Sequence, residues 1–255
     1  MPFLVDSITS AITAQGLAIG RLVHPVVAVR RNGDGVLDAF PDGDAAGERR
    51  ESIVYLETER ADARQRRALL AALAETLADV RAALADWPQM QAAMRDDAAL
   101  LADPEGAALL RWLADGMLTQ LGCVTRRRDG TLENARGICR ASDAALLADA
   151  SLERAFAWFE SSGAAGQGRA PLIVKANRIA NVHRRVPLDL FIVPHREGGT
   201  VAALSIHAGV WTSAALAAVP DRVPRLRTQL ADLMDKFGFA ANGHAGKALV
   251  HALTA

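Results

Sequence analysis

Cysteine is nearly missing from this sequence and net charge is missing altogether, and each shortage removes a class of protein. Cys123 and Cys139 are the two cysteines. They fit neither a disulfide framework nor a zinc site, which needs Cys or His in pairs at short spacing. A reducing cytoplasm is the expected compartment. The 29 basic and 29 acidic side chains cancel, so no overall field favours nucleic acid or an anionic membrane surface, and no partner of either kind is expected. No run of about 18 apolar residues is present to span a bilayer. Residues 1–22 lack the basic start and long apolar stretch of a signal peptide.

Hydrophobic residues are plentiful, at 51% of 255 positions, enough for one large core or two small ones. The chain is organised around residues 171–211. Residues 171–177 read as a short buried strand, and residues 188–195 and 200–210 as two longer ones. The latter flank Arg196-Glu197-Gly198-Gly199, a hairpin signal. Ala202, Leu204, Ile206, Ala208 and Val210 alternate with Ser205, His207 and Gly209, which puts one face of the last strand in a core. The expected centre is an antiparallel sheet.

Before it, Leu4, Val5, Ile8, Ala11 and Ile12 recur at helical spacing and stop at Gly16. Residues 17–31 are rich in Val and Ile, Asn32-Gly33-Asp34-Gly35 makes a turn, and residues 36–40 return as a strand. Residues 41–50 read as a mobile loop and residues 51–59 as a further strand. Residues 63–87 form the clearest helix, through Leu69, Leu73, Leu77, Val80 and Leu84. Pro88 and Pro104 are expected to bracket a second helix, and residues 105–115 a third. Strands over 117–126 and 135–140, helices over 142–148 and 152–160, and a flexible stretch to 169 lead into the central sheet. A helix over 221–237 is expected to turn Val223, Leu226, Leu230, Leu233 and Phe237 inward, and one more helix begins at Gly243.

Candidate chemistry is sparse. Gly163-Ala-Ala-Gly166-Gln-Gly168 leads into a strand where a phosphate loop would leave one and open a helix, so it reads as a linker. Gly246-Lys247-Ala248 lacks the upstream spacing and the hydroxyl of a nucleotide site. His195 and His207 fall several residues apart along their ladder and are not expected to converge, which argues against a metal site. Ser205 and His207, read as strand neighbours on opposite faces, make no catalytic pair. No Gly-x-Ser-x-Gly elbow is present. The arginines of residues 64–67 and 126–128 read as solvated faces. Lys175, Asn177, His183 and Asp189 either line a small ligand pocket or are ordinary hydrogen-bonded surface. No catalytic, metal-binding or cofactor-binding residue is expected.

Eight segments resemble, in order, the long N-terminal region of the large bacterial NAD-specific glutamate dehydrogenases. They are Met1-Pro-Phe-Leu-Val-Asp-Ser7, His24-Pro25-Val26, Glu51-Ser52, Leu110-Arg-Trp-Leu-Ala-Asp115, Val174-Lys-Ala-Asn177, Val182-His183-Arg184, Trp211-Thr-Ser-Ala-Ala215, and Gly246-Lys-Ala-Leu249 with His251. The sequence departs from the family around residues 117–124 and 188–193, where Cys123, Leu188 and Leu190 stand in place of aromatics, in keeping with 5% aromatic content.

The resemblance implies an α+β fold of two modules joined by helices. Residues 1–87 would be an ACT-like, ferredoxin-like module lacking its first strand, and residues 88–116 a helical connector. Residues 117–237 would be a second antiparallel-sheet module, PAS-like or ACT-like, and residues 238–255 a helix leading to the next domain. It implies a non-catalytic regulatory and oligomerisation segment. NAD, glutamate and the catalytic residues belong to the remainder of the parent enzyme, whose dinucleotide fingerprint is not found here. The implied partners are that remainder, further copies of the chain and, as an alternative role, an amino-acid effector.

Overall fold

The computed structural model describes residues 1–41, 49–140, 146–161, 170–240 and 243–254. The loop read over 41–50, the helix over 142–148 and the stretch over 161–169 fall wholly or mostly outside these residues. The chain forms two compact units, Met1–Val80 with Asn181–Arg185, and Arg81–Ala180 with Val186–Ala255.

In the first unit α1 (Leu4–Ala14) buries Leu4, Ile8, Ala11 and Ile12, one face of a helix, and ends before Gly16 at φ +74°. The strand expected over 17–31 is divided into β1 (Ile19–Val23) and β2 (Val26–Arg31). Pro25 has no N–H to give a ladder and sits at the break, while its carbonyl accepts from Ile53 N–H at 3.0 Å. After the Asn32–Gly35 turn comes β3 (Leu37–Ala39), then β4 (Arg49–Ser52) and β5 (Tyr55–Thr58). β1 pairs with β5, and β2 lies between β3 and β4, all antiparallel. Leu4, Ile8, Ile12 and Leu17 form the core, with Val54, Leu56, Leu69, Leu73 and Leu77 packed against it.

Leu69, Leu73 and Leu77 lie on α2 (Ala63–Leu100), a single helix of 38 residues with Pro88 inside it. The expected break at Pro88 does not occur. A proline removes one bond to the carbonyl four residues back and crowds it, at a cost of roughly 3 kcal/mol. Packing beyond the proline outweighs this, because Met90 and Met94 are completely buried.

The second unit continues with α3 (Pro104–Trp112), capped by Asp103, whose carboxylate accepts from the Glu105 and Gly106 amides. β6 (Leu118–Arg127) and β7 (Leu132–Gly137) follow, then α4 (Asp149–Ser161), β8 (Leu172–Ile179), β9 (Pro187–Glu197) and β10 (Thr200–Trp211). The sheet order is β7-β6-β10-β9-β8, antiparallel throughout. β10 is thus the centre, and β8, expected as a buried strand, is an edge that exposes Ile173, Lys175 and Asn177. Strand, strand, helix and three strands is not the strand-helix-strand-strand-helix-strand order of an ACT-like module.

Both sheet faces are covered. Phe191, Val193 and Leu118 pack with Met94 of α2 and Leu109, Leu110 and Leu113 at the end of α3. Leu204, Ile206, Ala208 and Val210 form the other buried face, and α4 contacts β10 with Phe156 and Phe159 buried. After β10 come α5 (Ser213–Leu216), α6 (Leu226–Lys236) and α7 (His244–Thr254). The inward set expected for α6 does not form: only Leu230 is buried in it, and Phe237 is 60% exposed. The helix begins later than the hydrophobic spacing suggests because Arg225, at φ +66°, interrupts it.

Candidate functional site

The site grows from an acid in the wrong place for an acid. On α2, Met90, Met94 and Ala98 form a buried stripe, and Asp97 falls within it at 4% exposure. A carboxylate taken out of water must be paired or hydrogen-bonded. Two histidines do this. Asp97 Oδ2 lies 2.7 Å from His207 Nε2 and Oδ1 lies 3.0 Å from His195 Nε2.

The ladder alone does not bring these rings together, since His207 pairs with Phe191 and His195 with Ala203. They converge because a third element, α2, reaches both, which corrects the expectation that they stay apart. Ser205 and His207 are two residues apart on β10 and therefore share a face, so the reading of opposite faces is also corrected. Ser205 Oγ sits 2.7 Å from His195 Nε2. On β6, Gln120 Nε2 lies 3.0 Å from His207 Nδ1. The amide donates to that nitrogen, which leaves the other ring nitrogen to carry the proton that Asp97 accepts.

Burial alone would raise the Asp97 pKa, but hydrogen bonds from His195 and His207 and the attraction to both rings outweigh it, and the carboxyl rests at about 2 instead of the usual 3.8. Beside it, burial pushes the Cys123 thiol up to about 11, with Arg136 pulling in the opposite direction. Such a thiol is no nucleophile at neutral pH.

Serine, histidine and aspartate together suggest hydrolysis, but the geometry is wrong for it. A nucleophilic serine gives its proton to one imidazole nitrogen while the carboxylate holds the opposite one. Here Ser205 and Asp97 meet the same nitrogen of His195. That nitrogen has one proton, and the carboxylate accepts it. Ser205 shares it as a second acceptor and keeps its own hydroxyl hydrogen for another partner. The arrangement binds and orients; it does not activate a nucleophile. Among the described residues no group of three or more His, Cys, Asp or Glu is arranged to hold a metal ion. Asp96, Asp97, Arg136, His195, Ser205 and His207 line a cavity of about 380 Å³.

The residues singled out from sequence lie elsewhere. Lys175 Nζ is 2.8 Å from Asp189 Oδ1, an edge-strand pair in direct register. Asn177 is exposed two positions further along β8. His183 belongs to the first unit, where its amide donates to Ser7 Oγ at 2.9 Å and its ring lies 3.3 Å from Asp6 Oδ2 and 5.1 Å from the Phe3 ring. The structure therefore joins Lys175 to Asp189, and His183 belongs to the other unit.

Residues 1–73, which carry α1, β1 to β5 and the first turns of α2, match the glutamate dehydrogenase ACT1 domain family. The NAD-specific glutamate dehydrogenase of Pseudomonas aeruginosa is 30% identical over 279 residues, covering 99% of this chain. That of Halomonas elongata is 27% identical over 282 residues, again covering 99% of the chain. The chain is similar to the N-terminal region of large NAD-specific glutamate dehydrogenases. It spans 17% of the length of each of these relatives. Two segments that carry the resemblance, Met1–Ser7 and Val182–Arg184, are the ones that Ser7 and His183 join. The glutamate dehydrogenase-like segments thus include a tertiary contact, while Asp97, Ser205 and His207 lie outside all of them. A charged residue inside an apolar helical stripe, and two polar residues two apart on a core strand, were the signals in the sequence for the Asp97 site.

Proposed function

We propose that this chain is a regulatory and assembly segment of an NAD-dependent glutamate dehydrogenase, acting in the cytoplasm without catalytic chemistry of its own. In this reading the parent enzyme converts L-glutamate, NAD and water to 2-oxoglutarate, ammonia and NADH, and binds NAD outside this chain. End-to-end similarity to relatives many times longer carries the reading: 99% of the chain aligns, over 17% of theirs. The Asp97 cluster supports a holding role, since its serine faces a nitrogen already committed to a carboxylate. No helix of the described residues is long and apolar enough to cross a membrane.

Self-association is part of the proposal. Edge strand β8 exposes Ile173 and Ile179, and an edge with apolar side chains and unpaired backbone groups invites pairing. The second reading, an amino-acid-sensing module acting allosterically, is favoured by the ACT1 match over residues 1–73.

The test is deletion of the equivalent segment from the Pseudomonas aeruginosa enzyme, followed by sedimentation velocity and steady-state kinetics. A shortened enzyme with altered assembly or altered effector response is expected. One unchanged in both overturns the proposal, and so does NAD reduction with glutamate by the 255-residue chain alone.

A further inference from the structure

We propose that the cavity beside Asp97 binds a small α-amino acid, with Arg136 holding its carboxylate and Asp96 its ammonium. The volume, about 380 Å³, is at the small end of ligand sites, which run from about 300 to 1,000 Å³. Its lining includes opposite charges, Arg136 and Asp96, that form no ion pair with each other or with another described residue.

Arg136, on β7, is half-buried, hydrogen-bonds the Cys123 thiol and makes no salt bridge among the described residues. Its neighbour is the Cys123 thiol, which stays protonated and offers no countercharge. A guanidinium withdrawn from water is ordinarily matched by an anion. The two buried carboxylates nearby are committed: Asp86 accepts from Arg140 Nε at 2.5 Å and from the Gly137 amide at 2.8 Å, and Asp97 accepts from two histidines. Arg136 therefore presents its planar fork to the cavity, and a carboxylate is the anion that fork fits in bidentate fashion.

Asp96, exposed on α2, lines the same cavity and has no ion pair among the described residues, Arg136 included. Asp96 is one residue from Asp97 on the helix, so the cluster that fixes Asp97 also fixes the backbone that carries Asp96. Ser205 lines the same cavity and adds a hydroxyl hydrogen not taken up by His195. A cation, an anion and a hydroxyl donor in one lining match a zwitterion better than a simple anion or cation.

This assignment deepens the regulatory reading, yet binding is tested separately from regulation. Titration calorimetry and thermal unfolding of the whole chain with a panel of α-amino acids, and with 2-oxoglutarate as an amine-free probe, give the readout. Saturable binding of at least one amino acid is expected, with 2-oxoglutarate at least about tenfold weaker than glutamate if glutamate is the one bound, because about 1.4 kcal/mol of charge pairing is lost. Arg136→Gln should abolish binding of both compounds while unfolding at the same temperature as the parent chain without ligand. Asp96→Asn should remove the preference for the amine and retain the carboxylate. No saturable binding at millimolar concentration, or unchanged affinity in R136Q, overturns the proposal; equal affinity for glutamate and 2-oxoglutarate in the parent chain overturns the role of Asp96. Binding without any effect on the parent enzyme's rate would leave this site standing and remove the regulatory reading.

Discussion

His207 Nε2 donates to Asp97 Oδ2 over 2.7 Å, and this buried bond joins residues 110 positions apart. It ties helix α2 to the central strand β10, and His195 adds a second tie from β9. Around it the fold is apolar: Met94 on the helix and Phe191 and Val193 on the sheet belong to one core cluster. The polar cluster fixes which turn of α2 faces which strand, something apolar contacts alone specify less sharply.

Asp97→Ala removes the acceptor for two imidazole donors in a buried place. Breaking a buried pair from one side costs about 3–5 kcal/mol, so a large loss in urea unfolding is expected. Asp97→Asn keeps one acceptor oxygen and loses the charge, and should cost less, about 1–3 kcal/mol. Equal stability of D97A and the parent chain would show that the cluster is not holding α2.

The same carboxylate makes the second unit acid-sensitive. Asp97 is lowered to about 2 from 3.8, against the effect of its own burial, by its two histidines. Glu105 is lowered to about 2 from 4.5, by the Arg227 guanidinium and then the Arg225 amide. A depressed carboxyl adds stability that is complete above its unfolded pKa and disappears as pH falls through the folded one. Stability should therefore decline between about pH 4.5 and pH 2. Glu105 is partly open to solvent, so its share is the smaller and the more salt-sensitive. Acid unfolding followed by circular dichroism should show a flatter profile in that window for D97N than for the parent chain.

Gly106 sets two rules against each other. It lies in α3, where Ala is favoured over Gly by roughly 1 kcal/mol. Yet a Cβ there would stand 2.1 Å from the Ala170 carbonyl oxygen and 3.0 Å from Asp103 Oδ2. The backbone contact cannot relax by rotating a side chain, so crowding wins. Gly106→Ala should destabilise by about 1–3 kcal/mol, the usual cost of overpacking, measured as a lower urea midpoint. A rise in the midpoint would mean that α3 and the chain around Ala170 do not approach this closely.

Wherever one element's own periodicity decides the outcome, the sequence was readable. Ile8, Ala11 and Ile12 announce α1, and Gly198-Gly199 announces the β9–β10 hairpin, whose turn residues have φ of +57° and +90°. Reading failed where distant elements decide. Pro88 argues locally for a helix end, and burial of Met90 and Met94 overrides it. Leu226 and Phe237 have the spacing of a buried face, but they remain 38% and 60% exposed. The Asp97 cluster draws on a helix and three strands, and no local pattern writes that convergence. What the local pattern did contain was an Asp in an apolar stripe and a Ser and His sharing one strand face.

Pro88 also supplies the last test. It is exposed, sits in the interior of α2 and denies the Leu84 carbonyl its helical partner. An alanine restores that bond and removes the ring's clash with the preceding turn, a difference of roughly 3 kcal/mol in isolated helices. Proline returns part of this by stiffening the unfolded chain, worth about 0.4–1 kcal/mol. Pro88→Ala should thus raise stability by about 2 kcal/mol, and the thermal midpoint with it. Hydrogen exchange at the amides of residues 86–92 separates this from a general effect, since protection should rise there first. If the midpoint falls instead, the proline is setting a bend that Asp97 needs in order to reach His195 and His207, and the variant should then lose its acid sensitivity below pH 4.5 as well.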